Sequence, residues 1–413
     1  MGLVMKILVL NCGSSSIKFQ LIETDTGMIE SNSDRCIAKG SVEKIGTDEA
    51  MLHLTVPPNP AQSLTEEMLD HQAALARVIQ ALKEAKALGD ISQIEAVGHR
   101  VVHGGERFSA SVMIDDEVEK VIRQCSELAP LHNPHNLQGY LVARKVLPQV
   151  PQVAVFDTAF HQTMPAKAYL YGLPYSYYRR YHIRRYGFHS PSHRYVAFRC
   201  RERLGKAKGE ANLITAHLGN GCSITAIEKD KSIDTSMGFT PLEGLLMGTR
   251  CGDMDPAIIL YLMSKDELSL HDMSTLLNRF SGLYGISADS NDMRELIAAS
   301  ATGDTQAEVA IEAFCYRLRK YIGAYTAALG HVDGLVFTGG IGENAPLVRE
   351  KACQGLAELG YEIDLARNNE AVGKACEIST DSSRTRIFVI PTNEELLIAR
   401  DTFRVIRGLP IPS

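Results

Sequence analysis

The sequence predicts an α/β protein built from two domains of related plan. Its 413 residues exceed the length of about 250 to 300 at which a single hydrophobic core stops growing. Strand-like runs alternate with helical stretches along most of the chain, which is typical of α/β folds. A pair of short strands around a Gly-rich turn occurs twice, in residues 7–23 and again in residues 213–228.

Both copies of this motif predict a β-hairpin. In the first copy, ILVL leads into the turn NCGSSS and then into IKFQLIE; in the second, LITAH leads into LGNG and then CSITAIE. Apolar residues alternate after each turn, as in a strand with one buried face. The alternating residues correspond pairwise: Ile17, Phe19 and Leu21 with Cys222, Ile224 and Ala226.

The remaining periodic segments are mainly helical. Apolar residues at helical spacing over residues 307–329 predict a helix that leads into a strand at 334–338. Residues 394–405 predict a C-terminal helix. Residues 24–60 and 262–292 show no clear period, and we expect them to be insertions around the two cores.

Composition excludes several classes of protein. Hydrophobic residues make up 45% and charged residues 22%, close to the average of soluble globular proteins. No run approaches the ~18 to 20 apolar residues that cross a bilayer, and residues 1–11 resemble a strand more than a signal peptide. We therefore expect a cytoplasmic protein with no membrane partner.

Charge and cysteine content narrow the classes further. The net charge of −6 argues against a nucleic-acid partner, and we expect the Arg- and Tyr-rich residues 175–186 to form a subunit contact or an active-site rim. Nine scattered cysteines indicate neither a disulfide framework nor a zinc site. His99 and His103 are four residues apart, but they fall on a strand and turn, where that spacing does not align two metal ligands.

Three turns have the composition of phosphate-binding turns. They are NCGSSSIK at residues 11–18, HLGNG at 217–221 and GGIGEN at 339–344. Glycine lets backbone N–H groups approach phosphate oxygens closely, and hydroxyl groups add donors. The chain has no P-loop string, and a single such turn would be ordinary hairpin chemistry. Together, the three turns indicate a protein that binds a polyphosphate.

These turns belong to an ordered series of motifs that runs from residue 7 to residue 407. The series is NCGSSSIKF, GHRVVHGG, APLHNP, VFDTAFH, YGFH, HLGNG, GTRCGDMDP, FTGGIGEN and PTNEEL. It resembles the acetate kinase (acetokinase) family of short-chain acyl kinases. The resemblance implies the fold of actin, sugar kinases and heat-shock chaperones: two duplicated actin-like (ribonuclease H-like) domains with a nucleotide cleft between them.

The resemblance also implies a division of the chain and an activity. Residues 1–158 and 394–413 would form an N-terminal acyl-kinase domain closed by the C-terminal helix, and residues 159–393 a second domain for nucleotide binding and dimerisation. The implied enzyme is a phosphotransferase with a carboxyl acceptor. It moves the γ-phosphoryl group of ATP in line and reversibly onto acetate, giving acetyl phosphate and ADP. The implied partners are Mg²⁺, with Mn²⁺ as the alternative, and a second copy of the chain.

Every site residue below is carried over from the resemblance. The residues assigned to catalysis are Arg100, Asp157, His189 and Arg250. Those assigned to the metal are Asn11 and Glu394. Those on the phosphate side are Ser14, Ser16 and Lys18. Those around the nucleotide are His217, Leu218, Gly219, Asn220, Gly221, Asp292, Met293, Arg294, Gly340, Ile341, Gly342, Glu343 and Asn344, with Lys18 counted among them. Those forming the acyl pocket are Arg100, Val102, Leu131, Phe188 and Pro241.

Physical chemistry supports most of these assignments. The planar fork of arginine suits both carboxylate and phosphate, so two arginines and a histidine fit in-line transfer. The family assigns Asp157 an acid/base role, but the acceptor substrate is itself a carboxylic acid. Such an acid resembles the Glu side chain, with a pKa of about 4.3, and is already ionised at neutral pH. We therefore expect Asp157 to orient Arg100, the magnesium ion or a water. Glu394 also fits a simpler role as a negative charge at a helix N-terminus.

Two other functions are alternatives to the transfer of phosphate to acetate. Val102 leaves less room than the alanine of propionate-preferring relatives and favours acetate, but one methylene is worth only ~1 to 3 kcal/mol. A propionate or other short-chain acyl kinase is the first rival, and an ATP-binding scaffold without an acyl substrate is the second.

The two departures from the family pattern are Ser190–Pro191 after His189, where Gly–Thr is usual, and Ala288, where glycine is usual.

Overall fold

The computed structural model describes residues 4–412 in two compact units. Unit 1 comprises residues 4–162 and 393–412, and unit 2 comprises Thr163–Thr392. Residues 1–3, part of the predicted N-terminal strand and of the predicted first domain, and residue 413 lie outside the described chain. Within residues 4–412, no helix combines the length and apolar character needed to span a membrane.

Unit 1 is an eight-stranded sheet with helices on both faces. Its strands are β1 (Met5–Cys12), β2 (Ile17–Thr24), β3 (Arg35–Glu43), β4 (Thr47–Thr55), β5 (Gln62–Met68), β6 (Ala96–Val101), β7 (Val112–Met113) and β8 (Gln152–Phe156). Its helices are α1 (Thr26–Ser31), α2 (His71–Glu84), α3 (Asp116–Gln124), α4 (Asn133–Val146) and α16 (Glu394–Ile406). The strand order is β5-β4-β3-β2-β1-β6-β8-β7, in which β1, β6 and β8 run parallel.

The central strands of this sheet are buried on both faces. Ile7 and Val9 of β1 pack in one cluster with Ile398 and Phe403 of α16. Leu8 and Leu10, which point to the opposite face, pack in a second cluster with α2 and α4. Because side chains alternate along a strand, every second residue of β1 faces α16.

Residues 24–60 are not an insertion, contrary to the prediction. They form α1, β3 and β4, and the two strands extend the main sheet beyond β2. Ala38, Val42 and Leu52 are part of the unit's hydrophobic core. In β3 only every fourth residue is buried, so the period-two signal of a half-buried strand is missing from the sequence.

Unit 2 is a six-stranded sheet surrounded by helices. Its strands are β9 (Asn212–Leu218), β10 (Cys222–Glu228), β11 (Lys231–Thr235), β12 (Gly334–Thr338), β13 (Cys376–Glu377) and β14 (Arg386–Val389). Its helices are α5 (Ala166–Tyr169), α6 (Tyr175–Tyr181), α7 (Ser190–Arg203), α8 (Ala257–Lys265), α9 (Leu270–Arg279), α10 (Gly282–Ser287), α11 (Met293–Ala301), α12 (Thr305–Leu329), α13 (Gly339–Asn344), α14 (Pro346–Cys353) and α15 (Leu365–Glu370). The strand order is β11-β10-β9-β12-β14-β13.

The two units repeat one strand plan, which confirms the predicted duplication. Strands β3-β2-β1-β6-β8 of unit 1 and β11-β10-β9-β12-β14 of unit 2 share the same order and directions: two antiparallel pairings followed by two parallel ones. Both predicted hairpins are present. The residues that correspond between them are all buried: Ile17, Phe19, Leu21, Cys222, Ile224 and Ala226.

Residues 262–292 also belong to the architecture of unit 2. They complete α8 and form α9 and α10, and α9 begins with a capping box in which Ser269 and Asp272 bond each other's backbone N–H. Residues 257–263 of α8 are all apolar, so no period marks one face of this helix. The predicted helix over 307–329 is confirmed as α12, and the strand at 334–338 as β12.

The two departures from the family pattern have different local consequences. Pro191 occupies the first turn of α7, where no helical hydrogen bond needs its missing N–H. His189, the residue before that helix, has the left-handed dihedral φ of 59°. Ala288 ends α10 in the same region, with φ of 56°. An alanine Cβ is strained in that conformation, and glycine is not.

Replacing Ala288 with glycine should therefore stabilise the protein. We expect Ala288→Gly to raise the free energy of unfolding by about 0.5–1 kcal/mol, because glycine removes the strain at positive φ. Ala298→Gly is the matched control, since Ala298 is an exposed residue in the middle of α11. This change should lower the free energy of unfolding by about as much as Ala288→Gly raises it. Urea unfolding of both variants gives the comparison. Equal destabilisation by the two changes would contradict the strain at Ala288.

Candidate active site

Three predicted site residues of unit 1 lie at the carboxyl ends of neighbouring parallel strands. Asn11 is near the end of β1, Arg100 is in β6, and Asp157 directly follows β8. The residues two positions earlier in each strand pack against α16: Val9, Gly98 and Val155. Because side chains alternate, the three site residues also lie on the α16 side of the sheet.

A two-point ion pair joins Arg100 and Asp157. Nε of Arg100 donates to Oδ1 of Asp157 at 3.0 Å, and Nη2 donates to Oδ2 at 2.6 Å. Nη1 lies 3.5 Å from Oδ1 of Asn11. Burial by itself would lower the pKa of Arg100, but the charges of Asp157 and Glu394 outweigh it and raise that pKa above its usual range. The pair therefore holds a permanently charged guanidinium in one orientation.

Glu394 begins α16, whose N-cap is Asn393. Burial raises the pKa of Glu394 to about 7, while the charge of Arg100 acts in the opposite direction. A divalent cation beside this buried carboxylate would stabilise its charged form. Mg²⁺ prefers oxygen ligands and often takes only one or two protein carboxylates, so Glu394 with the Asn11 amide oxygen fits it chemically.

The first Gly/Ser turn lies beside this group. The N–H of Gly13 donates to the carbonyl of Ser16 at 2.8 Å, which closes the turn, and Ser14 is exposed. Lys18 is the cross-strand partner of Asn11, so the two side chains share the α16 side of the sheet. The charge of Lys18 also lowers the pKa of Glu394, although burial dominates.

The two histidines of β6 and its following turn are engaged in protein contacts. Nε2 of His99 lies 2.7 Å from Oε1 of Gln152, and Nδ1 of His103 accepts from the N–H of Gly105 at 3.0 Å. Burial lowers the pKa of His99 to about 4 and that of His103 to about 3. Both rings are therefore neutral at physiological pH.

Two asparagines that the sequence analysis did not single out hold this turn in place. Asn136 of α4 accepts from the N–H of Val102 at 3.0 Å and donates to the carbonyl of Cys12 at 2.9 Å. Asn133 accepts from the N–H of His103 at 2.9 Å. Both lie in or next to the APLHNP motif, so the motif marks them, but only the fold shows which backbone groups they reach.

In unit 2, Arg250 and His189 lie beside the glycine turn between β9 and β10. A Cβ atom on Gly221 would lie 3.3 Å from Nη1 of Arg250 and 3.7 Å from Nε2 of His189. Nη1 of Arg250 donates to the carbonyl of Pro241 at 3.0 Å. Within residues 4–412, no carboxylate forms an ion pair with Arg250, and burial lowers its pKa. A partly buried guanidinium without a counter-ion is suited to an anionic ligand.

His189 is held by three neighbouring side chains. Its Nδ1 lies 2.8 Å from Oγ of Ser223, and that hydroxyl lies 2.7 Å from Nε2 of His193. The His217 ring packs against the His189 ring at a centroid distance of 4.3 Å. His217, predicted to contact nucleotide, is itself held by Ser192, whose Oγ lies 2.7 Å from Nδ1. His217 and Ser223 are cross-strand partners, as Asn11 and Lys18 are in unit 1.

A cavity of about 770 Å³ in unit 2 collects most of the residues predicted to surround the nucleotide. Those that line it are Gly219, Asn220, Asp292, Met293, Arg294, Gly340, Ile341 and Asn344. The lining also contains residues that the sequence analysis did not name: Asn291, Ile297, Ala345 and Val372. The other nucleotide candidates of unit 2 are not in the lining: His217, Leu218, Gly221, Gly342 and Glu343.

Glu343 and Arg349 hold one wall of this cavity. The Glu343 carboxylate accepts from the N–H of Gly339 at 2.9 Å, so it caps α13. Arg349 is fully buried and donates to the carbonyls of Gly342 at 2.8 Å and Ala371 at 2.9 Å. Burial lowers the pKa of Arg349 to about 10. Residues 339–344, predicted as a turn, form the short helix α13, and Arg349 joins this helix to the segment that ends at the cavity-lining Val372. The setting of Arg349 in a polar helical stretch gives no sequence signal for this role.

The residues predicted for the acyl pocket belong to both units. Val102 of unit 1 is 7% exposed, whereas Leu131 of the same unit is 61% exposed. In unit 2, Phe188 is 2% exposed and Pro241 is half-buried. Pro241 is also the residue whose carbonyl accepts from Arg250, so a residue predicted for the pocket and a residue predicted for catalysis are in contact there.

Comparison with known proteins agrees with the motif series. The chain matches the Acetokinase family over residues 6–400. It is 54% identical to the acetate kinase of Halothermothrix orenii, over 98% of this chain and 100% of that relative. The crystal structure of Porphyromonas gingivalis acetate kinase matches with a TM-score of 0.92 at 45% identity, over 97% of this chain and 100% of that one. A propionate kinase from Francisella tularensis matches with 0.89 at 42%, over 98% and 100%. The chain belongs to the acetokinase family, as its motifs predict.

Proposed function

We propose that this protein transfers the γ-phosphoryl group of ATP reversibly to acetate, giving acetyl phosphate and ADP. The observation that carries the proposal is the local setting of each of its two arginines. Arg100 is fixed by Asp157, and Arg250, which has no carboxylate partner within residues 4–412, presents its guanidinium beside His189 and the glycine turn. Such groups suit a carboxylate acceptor and a phosphoryl group with charge on its equatorial oxygens.

The reaction needs no general base. An oxygen of the acetate carboxylate forms the new bond to the γ-phosphorus, and the bond to the β,γ-bridging oxygen breaks with its electrons leaving on ADP. Acetate is ionised before it reacts, so no proton has to be removed. Asp157, whose two oxygens both accept from Arg100, acts in this proposal as a positioning residue.

The metal and nucleotide roles follow the same chemistry. Asn11 and Glu394 would hold Mg²⁺, with Mn²⁺ as the alternative, and the ion would neutralise charge on the β- and γ-phosphate oxygens. Ser14, Ser16 and Lys18 contribute donors on the phosphate side. The cavity lined by Asn220, Asp292 and Ile341 takes the nucleoside, so unit 2 carries most of nucleotide recognition.

We also propose a cytoplasmic homodimer formed through unit 2. All nine cysteines are free thiols, which suits a reducing compartment. Helix α8 buries none of its residues although its sequence is almost entirely apolar, and Leu260 and Tyr261 are 72% and 64% exposed. Exposed aliphatic and aromatic side chains of this kind are enriched at subunit interfaces.

The substrate is tested by comparing acetate, propionate and butyrate. We expect kcat/KM with Mg-ATP to be highest for acetate, and hydroxylamine to trap acetyl phosphate as hydroxamate. Val102→Ala should shift the preference toward propionate by roughly 10-fold, since a methylene is worth about 1–3 kcal/mol. Propionate is the second candidate because a propionate kinase is a near structural relative. A higher kcat/KM for propionate than for acetate in the unmodified enzyme would identify it as a propionate kinase. If no hydroxamate forms with any of the acids, an ATP-binding scaffold would be favoured.

The role of Arg250 is tested by truncation. Arg250→Ala should lower kcat by roughly 10³-fold or more, because a guanidinium that stabilises transferring phosphoryl contributes on that scale. Arg250→Lys keeps the charge without the planar fork and should retain more activity than the alanine variant. Circular dichroism establishes that both variants fold. Near-normal turnover by a folded Arg250→Ala protein would rule out the assigned role.

The proposed interface is tested at α8. Leu260→Asp should shift the protein from dimer to monomer in sedimentation velocity, because a carboxylate would be buried in an apolar contact. Leu69→Asp is the matched control, since Leu69 is 65% exposed on unit 1 and should leave the sedimentation coefficient unchanged. A monomeric wild-type protein, or a dimer that tolerates Leu260→Asp, would argue against this surface.

A further inference from the structure

We propose that Thr215, His193 and Ser223 form a hydrogen-bonded chain that keeps the proton of neutral His189 on Nε2. These three residues would be positioning residues: each acts through His189 and not on the substrate. The inference rests on the proposed function, in which His189 stabilises the transferring phosphoryl group. It adds a statement about which nitrogen of His189 donates and what enforces that choice.

The chain is continuous and buried. Oγ1 of Thr215 lies 2.8 Å from Nδ1 of His193, and Nε2 of His193 lies 2.7 Å from Oγ of Ser223. Oγ of Ser223 lies 2.8 Å from Nδ1 of His189. The first three residues of the chain have no exposed surface. Thr215 is in β9, Ser223 is in the paired strand β10, and His193 reaches both from α7.

The direction of the chain follows from the hydroxyl of Thr215. In residues 4–412, its Oγ1 has a single hydrogen-bond partner, Nδ1 of His193. A hydroxyl buried in a protein interior is strongly favoured to donate its hydrogen, and only this nitrogen is available to accept it. If His193 donated from Nδ1 instead, whether neutral or charged, the Thr215 hydrogen would be buried without an acceptor.

The remaining protons are then determined in sequence. With Nδ1 accepting, neutral His193 carries its proton on Nε2 and donates it to Oγ of Ser223. The Ser223 hydroxyl has one hydrogen, which is left for Nδ1 of His189. Since that nitrogen accepts, neutral His189 carries its proton on Nε2.

The position of Nε2 gives this tautomer its function. Nε2 of His189 and Nη1 of Arg250 both lie beside the same point over Gly221, at 3.7 Å and 3.3 Å from it. An N–H on Nε2 adds a donor next to the guanidinium, where phosphoryl oxygens gain charge during transfer. The other tautomer would place a lone pair there and repel those oxygens. The chain thus supplies a donor even when His189 is uncharged.

The test uses two substitutions of Thr215, which does not touch His189. Thr215→Val removes the hydroxyl and keeps the shape, whereas Thr215→Ser keeps the hydroxyl. We expect the valine variant to lose roughly 10-fold or more in kcat, with little change in KM for ATP or acetate, because a wrong tautomer lowers the catalytic step. The serine variant should retain most of the activity. Thermal unfolding of both variants separates this effect from a loss of folding.

The tautomer itself is measured by NMR with ¹⁵N-labelled histidine, using His189→Gln to assign the signals. In the wild-type enzyme at a pH where His189 is neutral, Nε2 should be the protonated nitrogen; in Thr215→Val the signals should move toward a mixture. A wild-type ring protonated on Nδ1, or a valine variant with unchanged tautomer and unchanged kcat, would overturn the inference. Full activity in His189→Gln would instead refute the proposed catalytic role, and the NMR result would still decide the direction of the chain.

Discussion

The rest of unit 1 depends on one constraint: successive side chains of a strand point to opposite faces of the sheet, and both faces of its central strands are buried. β1, β6 and β8 are packed by α16 on one face and, for β1 and β6, by helix α4 on the other, so each residue must point to one of two helical layers. Val9, Gly98 and Val155 pack against α16. The next residues on the same side of the sheet are therefore Asn11, Arg100 and Asp157, at the ends of the strands. Gly98 shows how tight the layer is, since a Cβ there would lie 2.4 Å from Oγ1 of Thr402. The candidate site of unit 1 lies where the apolar contact between the sheet and α16 ends and polar residues occupy the strand ends.

The same strand plan in unit 2 serves a different arrangement of charge. In unit 1 the arginine at the strand end is neutralised by a carboxylate that accepts from it at two points. In unit 2, Arg349 uses its donors on backbone carbonyls and shapes the cavity wall, whereas Arg250 has no carboxylate partner among the described residues. Burying a guanidinium without a counter-ion is costly, so such a residue is retained where an anion binds or where several carbonyls converge. Arg349 meets the second condition, and Arg250 is placed for the first.

Several features escaped sequence reasoning for identifiable reasons. β3 buries only every fourth residue, and residues 257–263 of α8 are all apolar, so neither carries the period that marks a strand or an amphipathic helix. Arg349 looks like a surface arginine in the sequence, because its acceptors are the side-chain oxygen of Asn368 and the backbone carbonyls of residues 342, 368 and 371, which no local pattern reveals. Asn136 lies next to a motif, but its two partners are 34 and 124 residues away along the chain. In each case the missing information is a contact distant in sequence.

The sequence by itself determined the fold class, the duplicated hairpin, the long helix α12 and the family, because these depend on local periodicity and on ordered motifs that survive without coordinates. It also marked Arg100, Asp157, His189 and Arg250 as the polar residues of greatest interest. Only the tertiary structure decided that both oxygens of Asp157 accept from Arg100, that Arg250 lies beside Gly221, and that Ser223 stands between two histidines. The physical reason is that a side chain's charge state and hydrogen-bond direction depend on which groups surround it, and those groups come from strands and helices far apart in the chain.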